Sequence, residues 1–289
     1  MPFTLAALAV AGLLAAGAAR SACLSDADVT ALAEAIAAKT PAATPEGLDD
    51  ADASCTRAKL NRVLAQRLGA VAGYKAGLTN PAVQKRFGTD KPVWGVLYRS
   101  MLLDSGATVD PAFGARALYE ADMLVRVKSE AINRAKTPAE VLAAVDQIIP
   151  FIELPDLAVQ APPKLNGPGV AAINVGARLG VQGAPIAVLA DAAAQSALLN
   201  ALRDMTVRLT DQDGAELARG KGADILEHPL NAVVWLAGAL AAEGLALQPG
   251  QVISLGSFSP LLPPKPGLGV TAHYDGLPGA QPVVVRFRP

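Results

Sequence analysis

An α+β fold, with a mostly antiparallel rolled sheet behind an N-terminal helical cap, is what the sequence predicts, on three observations. Helical periodicity dominates up to about residue 70. Beyond it, short apolar runs are broken by Gly, Pro, Asn and Asp, the texture of strands joined by turns. Helical periodicity then returns only in isolated stretches, and no internal repeat interrupts the pattern. With 289 residues, 52% of them hydrophobic and 18% charged, the chain can bury a substantial core. Aromatic residues are only 4%, so Ala, Val and Leu must build that core.

Taken in order, Phe3–Ala19 is apolar and followed by small residues, Arg20 and a polar stretch. It is short for a membrane span and reads as a signal peptide over residues 1–19, cut after small residues, which places the mature chain in the periplasm or outside the cell with no membrane attachment. No Lys or Arg precedes the apolar run, and a mistaken start codon or a cytosolic N-terminal helix is the other reading. Residues 20–70 form the helical cap. "DADVTALAEAIAAKTPA" is a helix capped at Asp26 or Asp28, with Leu32, Ile36 and Ala37 on one face and Pro41 as its stop. "TPEGLDDADASC" reads as a loop, and a second helix runs from about Ser54 to Leu68 with Leu60, Val63, Leu64 and Leu68 as its stripe. The two cysteines, Cys23 and Cys55, fall in this cap. In an oxidising compartment they would pair across about 30 residues, contributing roughly 3–4 kcal/mol. Lipid attachment at Cys23 is the rival, but "ARSAC" lacks the usual Leu of a lipoprotein signal.

Residues 71–289 form the main domain. "EADMLVRVKSE" alternates partly with period two, as a strand does. "TPAEVLAAVDQIIPFIEL" is a helix capped at Thr137 that feeds a strand around Ile149–Leu154. Met205–Leu209 and Ala215–Ala218 flank "TDQDG", a hairpin. "EHPLNAVVWLAGALAAEG" is the clearest helix, with Pro229 in its first turn, a stripe of Leu230, Val233, Val234, Ala237 and Leu240, and Gly244 at its close. The last segment supplies strands and Pro-rich turns.

A formal net charge of -1 and no Lys/Arg-rich run leave no electrostatic footprint for nucleic acid. Two histidines and two cysteines make no zinc pattern, and neither a G-x-S-x-G elbow nor a P-loop is present. Three stretches combine polar groups with apolar surroundings: Lys75 in "GYKAGLTN", Glu120 and Asp122 in "LYEADM", and Glu153 in "PFIELPDL". Residues i and i+2 of a strand share a face, so Glu120 and Asp122 repel unless a cation or a basic side chain neutralises them. A third acid from a neighbouring strand would complete an all-oxygen site suited to Mg2+ or Mn2+. From spacing alone the competing reading is a solvated face on which Arg116 or Arg126 pairs with the two acids. Lys75 would then be a surface lysine, Glu153 a helix-end acid, and His228 a residue at a helix start.

"GYKAGLT", "WGVLY", "YEADMLVRV", "IIPFIELPD" and "GKGADILEHPLNAVVWLA" occur in an order that resembles the 2-keto-4-pentenoate hydratase and 4-oxalocrotonate decarboxylase branch of the fumarylacetoacetate hydrolase (FAH) superfamily, over about residues 55–289. The resemblance implies an FAH-like mixed β-roll and a homo-oligomer that takes part in the breakdown of aromatic compounds. It also implies a Mg2+ or Mn2+ site at Glu120, Asp122 and Glu153, with Lys75 as catalytic residue beside a small 2-keto acid. Tyr74 and Ser257 are the candidate substrate-binding residues. In such enzymes the cation stabilises an enolate while water adds or carbon dioxide leaves. This sequence departs from the pattern at Asp122, where the family has Glu, and at Val93 in "PVWG", where the family has a proton-transferring Asp. "LGS" at Leu255–Ser257 stands for T-G-A, and "PDL" follows Glu153 in place of a polar pair. An exported protein that binds a keto acid or metal without catalysis is the alternative. A carbon–carbon bond hydrolase is disfavoured because no His precedes His228.

Overall fold

The computed structural model describes residues 23–289, and the expected signal peptide at 1–19 lies outside the described residues. α1 (Asp26–Ala38) is capped by Ser25, whose hydroxyl accepts from the Asp28 N–H, and it closes on Lys39 in the left-handed region. Asp26 and Asp28, expected as caps, are instead first-turn acids, where the helix dipole favours negative charge. α2 (Asp50–Leu68) begins at Asp50 rather than Ser54, because Asp49 and Asp52 form a reciprocal capping box inside the stretch expected to be loop. The Cys23–Cys55 disulfide, with Cα atoms 5.7 Å apart, ties the chain ahead of α1 to α2.

The main domain follows as β1 (Val71–Gly77), α3 (Pro81–Arg86), β2 (Val93–Tyr98), β3 (Leu102–Asp104), β4 (Ala107–Val109) and β5 (Glu120–Val127). α4 (Pro138–Ala143) carries the expected Thr137 cap, completed by Glu140, and runs into β6 (Val145–Leu154). Next come α5 (Gly167–Ala172), β7 (Leu179–Gln182), β8 (Ile186–Ala187) and α6 (Ala192–Asp204). β9 (Thr206–Asp211) and β10 (Glu216–Lys221) are the expected hairpin. α7 (Asn231–Ala242) starts after Pro229 rather than around it, and β11 (Val252–Ser254), β12 (Gly269–Asp275) and β13 (Val283–Phe287) complete the chain.

The strands form two sheets: an eight-stranded one in the order β2-β1-β11-β5-β6-β7-β3, with β8 beside β6, and a five-stranded one in the order β10-β9-β12-β13-β4. Pairing is mostly antiparallel, the exceptions being β1 with β11, β3 with β7 and β4 with β13. Side chains from both sheets and from the cap join one hydrophobic cluster, in which Leu60, Tyr98, Met123, Phe151 and Leu202 are fully enclosed. Burying such side chains stabilises the fold by roughly 1.5–3 kcal/mol each. Tyr274 of β12 links the sheets: its hydroxyl accepts from Phe151 N–H at 2.9 Å and lies within donating reach of the Phe151 and Asp122 carbonyls.

A polar pin holds the helices to the sheet. The Arg57 guanidinium of α2 stacks on Trp94 of β2, 3.6 Å from the ring centroid, and pairs with Glu243 just past α7. The Trp94 indole N–H donates to the same Glu243 carboxylate at 3.1 Å. Among the described residues no helix is long and apolar enough to cross a membrane.

Candidate functional site

Strand register puts the chemistry on one face of the larger sheet. Glu120 lies directly opposite Glu153, and Lys75 of β1 stands on the same rung as Ser254 of β11 and Leu124 of β5. Because alternate residues share a face, Glu120, Asp122, Leu124, Ser254, Lys75 and Glu153 all point one way. Asp122, Glu153 and Lys75 are 0%, 1% and 3% exposed, and Glu120 is buried with them. The solvated-face reading therefore fails. Arg126 forks onto Asp146 at 2.8 and 2.9 Å, and the Arg116 guanidinium donates to the Val159 and Gln160 carbonyls at 3.5 and 3.3 Å, so neither arginine serves Glu120 or Asp122.

Lys75 is held from two sides. Its ammonium pairs with Glu153 and donates to the Val175 carbonyl at 3.1 Å. Val175 has φ 55 and ψ 30, left-handed geometry that a β-branched residue enters at a cost of roughly 1–3 kcal/mol. Its neighbour Asn174, also left-handed, is locked by side-chain bonds with the Val96 N–H and C=O at 2.7 and 3.0 Å. The turn lies flat on the sheet only because Gly77 and Gly95 lack side chains. A Cβ on Gly77 would come 2.4 Å from Val175 Cγ1, and one on Gly95 would come 2.5 Å from the Asn174 carbonyl.

The acids outnumber the bases. Burial, reinforced by the Glu153 charge, pushes the carboxyls of Glu120 and Asp122 well above the usual carboxylate range. Asp122 meets its environment internally: Oδ1 accepts from Met123 N–H at 2.5 Å and Gly256 N–H at 3.0 Å, and Oδ2 accepts from the Ser254 hydroxyl. Its shorter side chain is thus drawn into the β5–β11 seam, and Asp122 is absent from the cavity lining. Asp122 is thus not brought to the cavity with Glu120 and Glu153, and among the described residues no three Asp, Glu, His or Cys side chains are grouped to hold a metal. A divalent cation is still a fit to what remains. Glu120 and Glu153 both line the cavity, and Glu153 Oε2 is a buried oxygen with no hydrogen-bond partner, an arrangement of hard oxygen donors that suits such an ion.

Above this floor lies a cavity of about 360 Å³ walled by apolar groups that include Leu78, Phe87, Leu157, Val170, Val175 and Phe258. Ser257 lines it beside Glu120, as expected of a substrate-side residue, with its hydroxyl donating to the Ser259 carbonyl at 2.5 Å. Tyr74 is not brought to the cavity. One residue from Lys75 on β1, it faces the opposite side of the sheet and packs edge-on against Trp94 with centroids 5.7 Å apart. Val93, paired across from Gly77 on β2, is also absent from the lining. His228 sits at the entrance to α7, its Nε2 3.1 Å from the Leu199 carbonyl and its Nδ1 accepting from Leu230 N–H, so burial holds its pKa down in a purely structural place. Sequence reasoning missed Thr79, a buried hydroxyl of the cavity wall four residues after Lys75.

A rolled mixed sheet bearing a lysine and facing glutamates at the floor of an apolar cavity is the architecture of the FAH fold. Comparison with solved structures agrees: 4-oxalocrotonate decarboxylase from Pseudomonas putida G7, complexed with magnesium and adipate, superposes with a TM-score of 0.77 at 27% identity, covering 92% of this chain and 100% of that one. No family model matches the sequence. Among curated proteins, 2-keto-4-pentenoate hydratase of Burkholderia vietnamiensis is 31% identical over 72% of this chain and 75% of the relative. That of Paraburkholderia phymatum is 30% identical over 81% and 86%. The chain belongs to the 2-keto-4-pentenoate hydratase family, within the branch that also holds the 4-oxalocrotonate decarboxylases.

Proposed function

We propose that this protein is a divalent-metal-dependent lyase, either hydrating or decarboxylating a small 2-keto or 2-hydroxydienoate acid. The observation that carries the reading is the orphaned Glu153 oxygen facing Glu120 at the foot of the cavity, in a chain whose relatives are hydratases and decarboxylases. Magnesium accompanies the decarboxylase neighbour, and Mg2+ or Mn2+ suits two carboxylates with positions left for ligand and water. When bound, such a cation would stabilise negative charge growing on the C2 oxygen of the acid.

The remaining work falls to the chain. Glu120 and Glu153 would hold the cation, while Asp122 fixes the β5–β11 seam behind them. Lys75, fastened by Glu153 and the Val175 carbonyl, keeps an ammonium at the cavity floor, where it offsets substrate charge and can pass a proton. The largely apolar walls lower the local dielectric and so strengthen each of these interactions. Val93 cannot move a proton, and decarboxylation, which needs no activated water, tolerates that loss better than hydration does. The test is direct. Mn2+ binding by calorimetry should be strong in the native protein and lost in Glu120→Gln and Glu153→Gln, with 2-hydroxypenta-2,4-dienoate or 4-oxalocrotonate consumed. Metal binding with neither consumed would favour the non-catalytic binding protein, for which the comparisons offer no support; absence of both would refute the lyase reading.

We further infer export to the periplasm or beyond, supported by the apolar N-terminal stretch and by the Cys23–Cys55 pairing, which oxidising compartments preserve. An intact mass from the native source that retains Met1–Ala19 would sink this. Assembly into a homo-oligomer is likewise proposed from the family, and light scattering at working concentration tests it.

A further inference from the structure

We propose that Thr79 is a substrate-binding residue whose hydroxyl donates a hydrogen bond to an oxygen of the 2-keto acid in the cavity. The ligand class rests on the lyase reading above; the role of the residue rests on its own geometry. Among the described residues, two buried side-chain oxygens have no hydrogen-bond partner, Thr79 Oγ1 and Glu153 Oε2, and both residues line the same cavity. Thr79 is 2% exposed. An unpartnered buried hydroxyl destabilises a fold, and valine would fill the same volume without that penalty. The chain thus keeps a donor where folding gains nothing from it.

Thr79 is also held in place. Its carbonyl accepts from Leu226 N–H at 3.2 Å, and the preceding residue, left-handed Leu78, has its carbonyl bound by the Gln84 side chain at 2.8 Å. Space for the hydroxyl is kept open by Gly256, where φ is +99° and an added Cβ would lie 2.1 Å from Thr79 Oγ1. Thr79 thus lines the same cavity as Gly256 and Ser257, whose floor Lys75 and Glu153 form. A 2-keto acid presents only acceptor oxygens, so the hydroxyl meets it as donor. A donor with no internal partner, on a backbone held at both Leu78 and Thr79, binds without first breaking an existing bond.

The test compares Thr79→Val and Thr79→Ser with the native protein, measuring thermal midpoint, Mn2+ affinity, and affinity for pyruvate and oxalate in the presence of Mn2+. Thr79→Val should melt no lower than native and bind Mn2+ unchanged, yet bind pyruvate and oxalate about tenfold more weakly, the loss of one hydrogen bond. Thr79→Ser should recover that affinity. Native-like pyruvate and oxalate binding by Thr79→Val would overturn the assignment and leave the lyase reading standing. A lower melting point in Thr79→Val with no recovery by Thr79→Ser would also overturn it, marking the residue as structural. Native protein that binds neither probe would overturn the keto-acid reading, and this assignment with it.

Discussion

Raising the pH of the metal-free protein should destabilise it, through the two acids of β5. Burial first, and the Glu153 charge second, raise the carboxyl pKa values of Glu120 and Asp122 well above those of exposed acids. In the unfolded chain each sheds its proton near pH 4. From there up to its folded pKa, the native state holds a proton that the unfolded state has lost. The contribution is fully present below the unfolded value and drains away as pH rises, by about 1.4 kcal/mol per pH unit for each group. Two groups acting together give up to about 2.7 kcal/mol per unit, a large share of a total stability of roughly 5–15 kcal/mol. Urea unfolding in a chelating buffer at pH 5, 6 and 7 measures this in the native protein, Glu120→Gln and Asp122→Asn. His228, lowered by burial, works in the opposite sense, so the difference between native and variant slopes is the informative quantity. Each variant should lose part of the downward slope, and Mn2+ should raise native stability more at pH 7 than at pH 5. Identical slopes in all three proteins would refute the reasoning.

Three further outcomes follow from the packing. Tyr274→Phe leaves the buried Phe151 N–H and a carbonyl without their partner and should cost about 2–4 kcal/mol in urea unfolding; a loss below about 0.5 kcal/mol would contradict the role given to that hydroxyl. Gly95→Ala drives a Cβ into the Asn174 carbonyl and should cost roughly 1–3 kcal/mol while weakening ligand binding, because the displaced turn carries the carbonyl that holds Lys75. Replacing both Cys23 and Cys55 by Ser should lower stability by roughly 3–4 kcal/mol yet leave Mn2+ affinity unchanged, since the bond ties the cap and not the cavity; calorimetry showing a parallel loss of metal would contradict that separation.

What could be read in the sequence was what is decided locally. The Thr137 cap, the turn between β9 and β10 and the apolar stripe of α7 are short-range signals and were legible. α2 was placed too late because a run of aspartates resembles a loop until one of them is recognised as a cap. α6 went unrecognised inside a stretch read only for its hairpin. The division into two sheets and the parallel seating of β11 beside β1 depend on partners far apart in the chain, which no local pattern encodes. The same division runs through the site. Lys75, Glu120 and Glu153 stand out as polar groups in apolar runs, the resemblance adds Ser257, and all four line one cavity. Tyr74 does not, although its place next to Lys75 on a strand already implied the opposite face. The donors that saturate Asp122, on Ser254 and Gly256, lie more than a hundred residues away, so no local pattern shows them.

The position of β11 has a consequence for the order in which the molecule comes together. Without it, β1 with β2 and β5 with β6 are two separate ribbons, one carrying the lysine and the other the glutamates. A strand of three residues from the last part of the chain joins them. Nascent chain lacking Val252–Ser254 therefore has no complete reaction centre, and closing contacts across so great a separation is slow compared with forming a hairpin. The charge balance of the cavity therefore waits on β11, and ligand and metal would meet it only once that strand is seated.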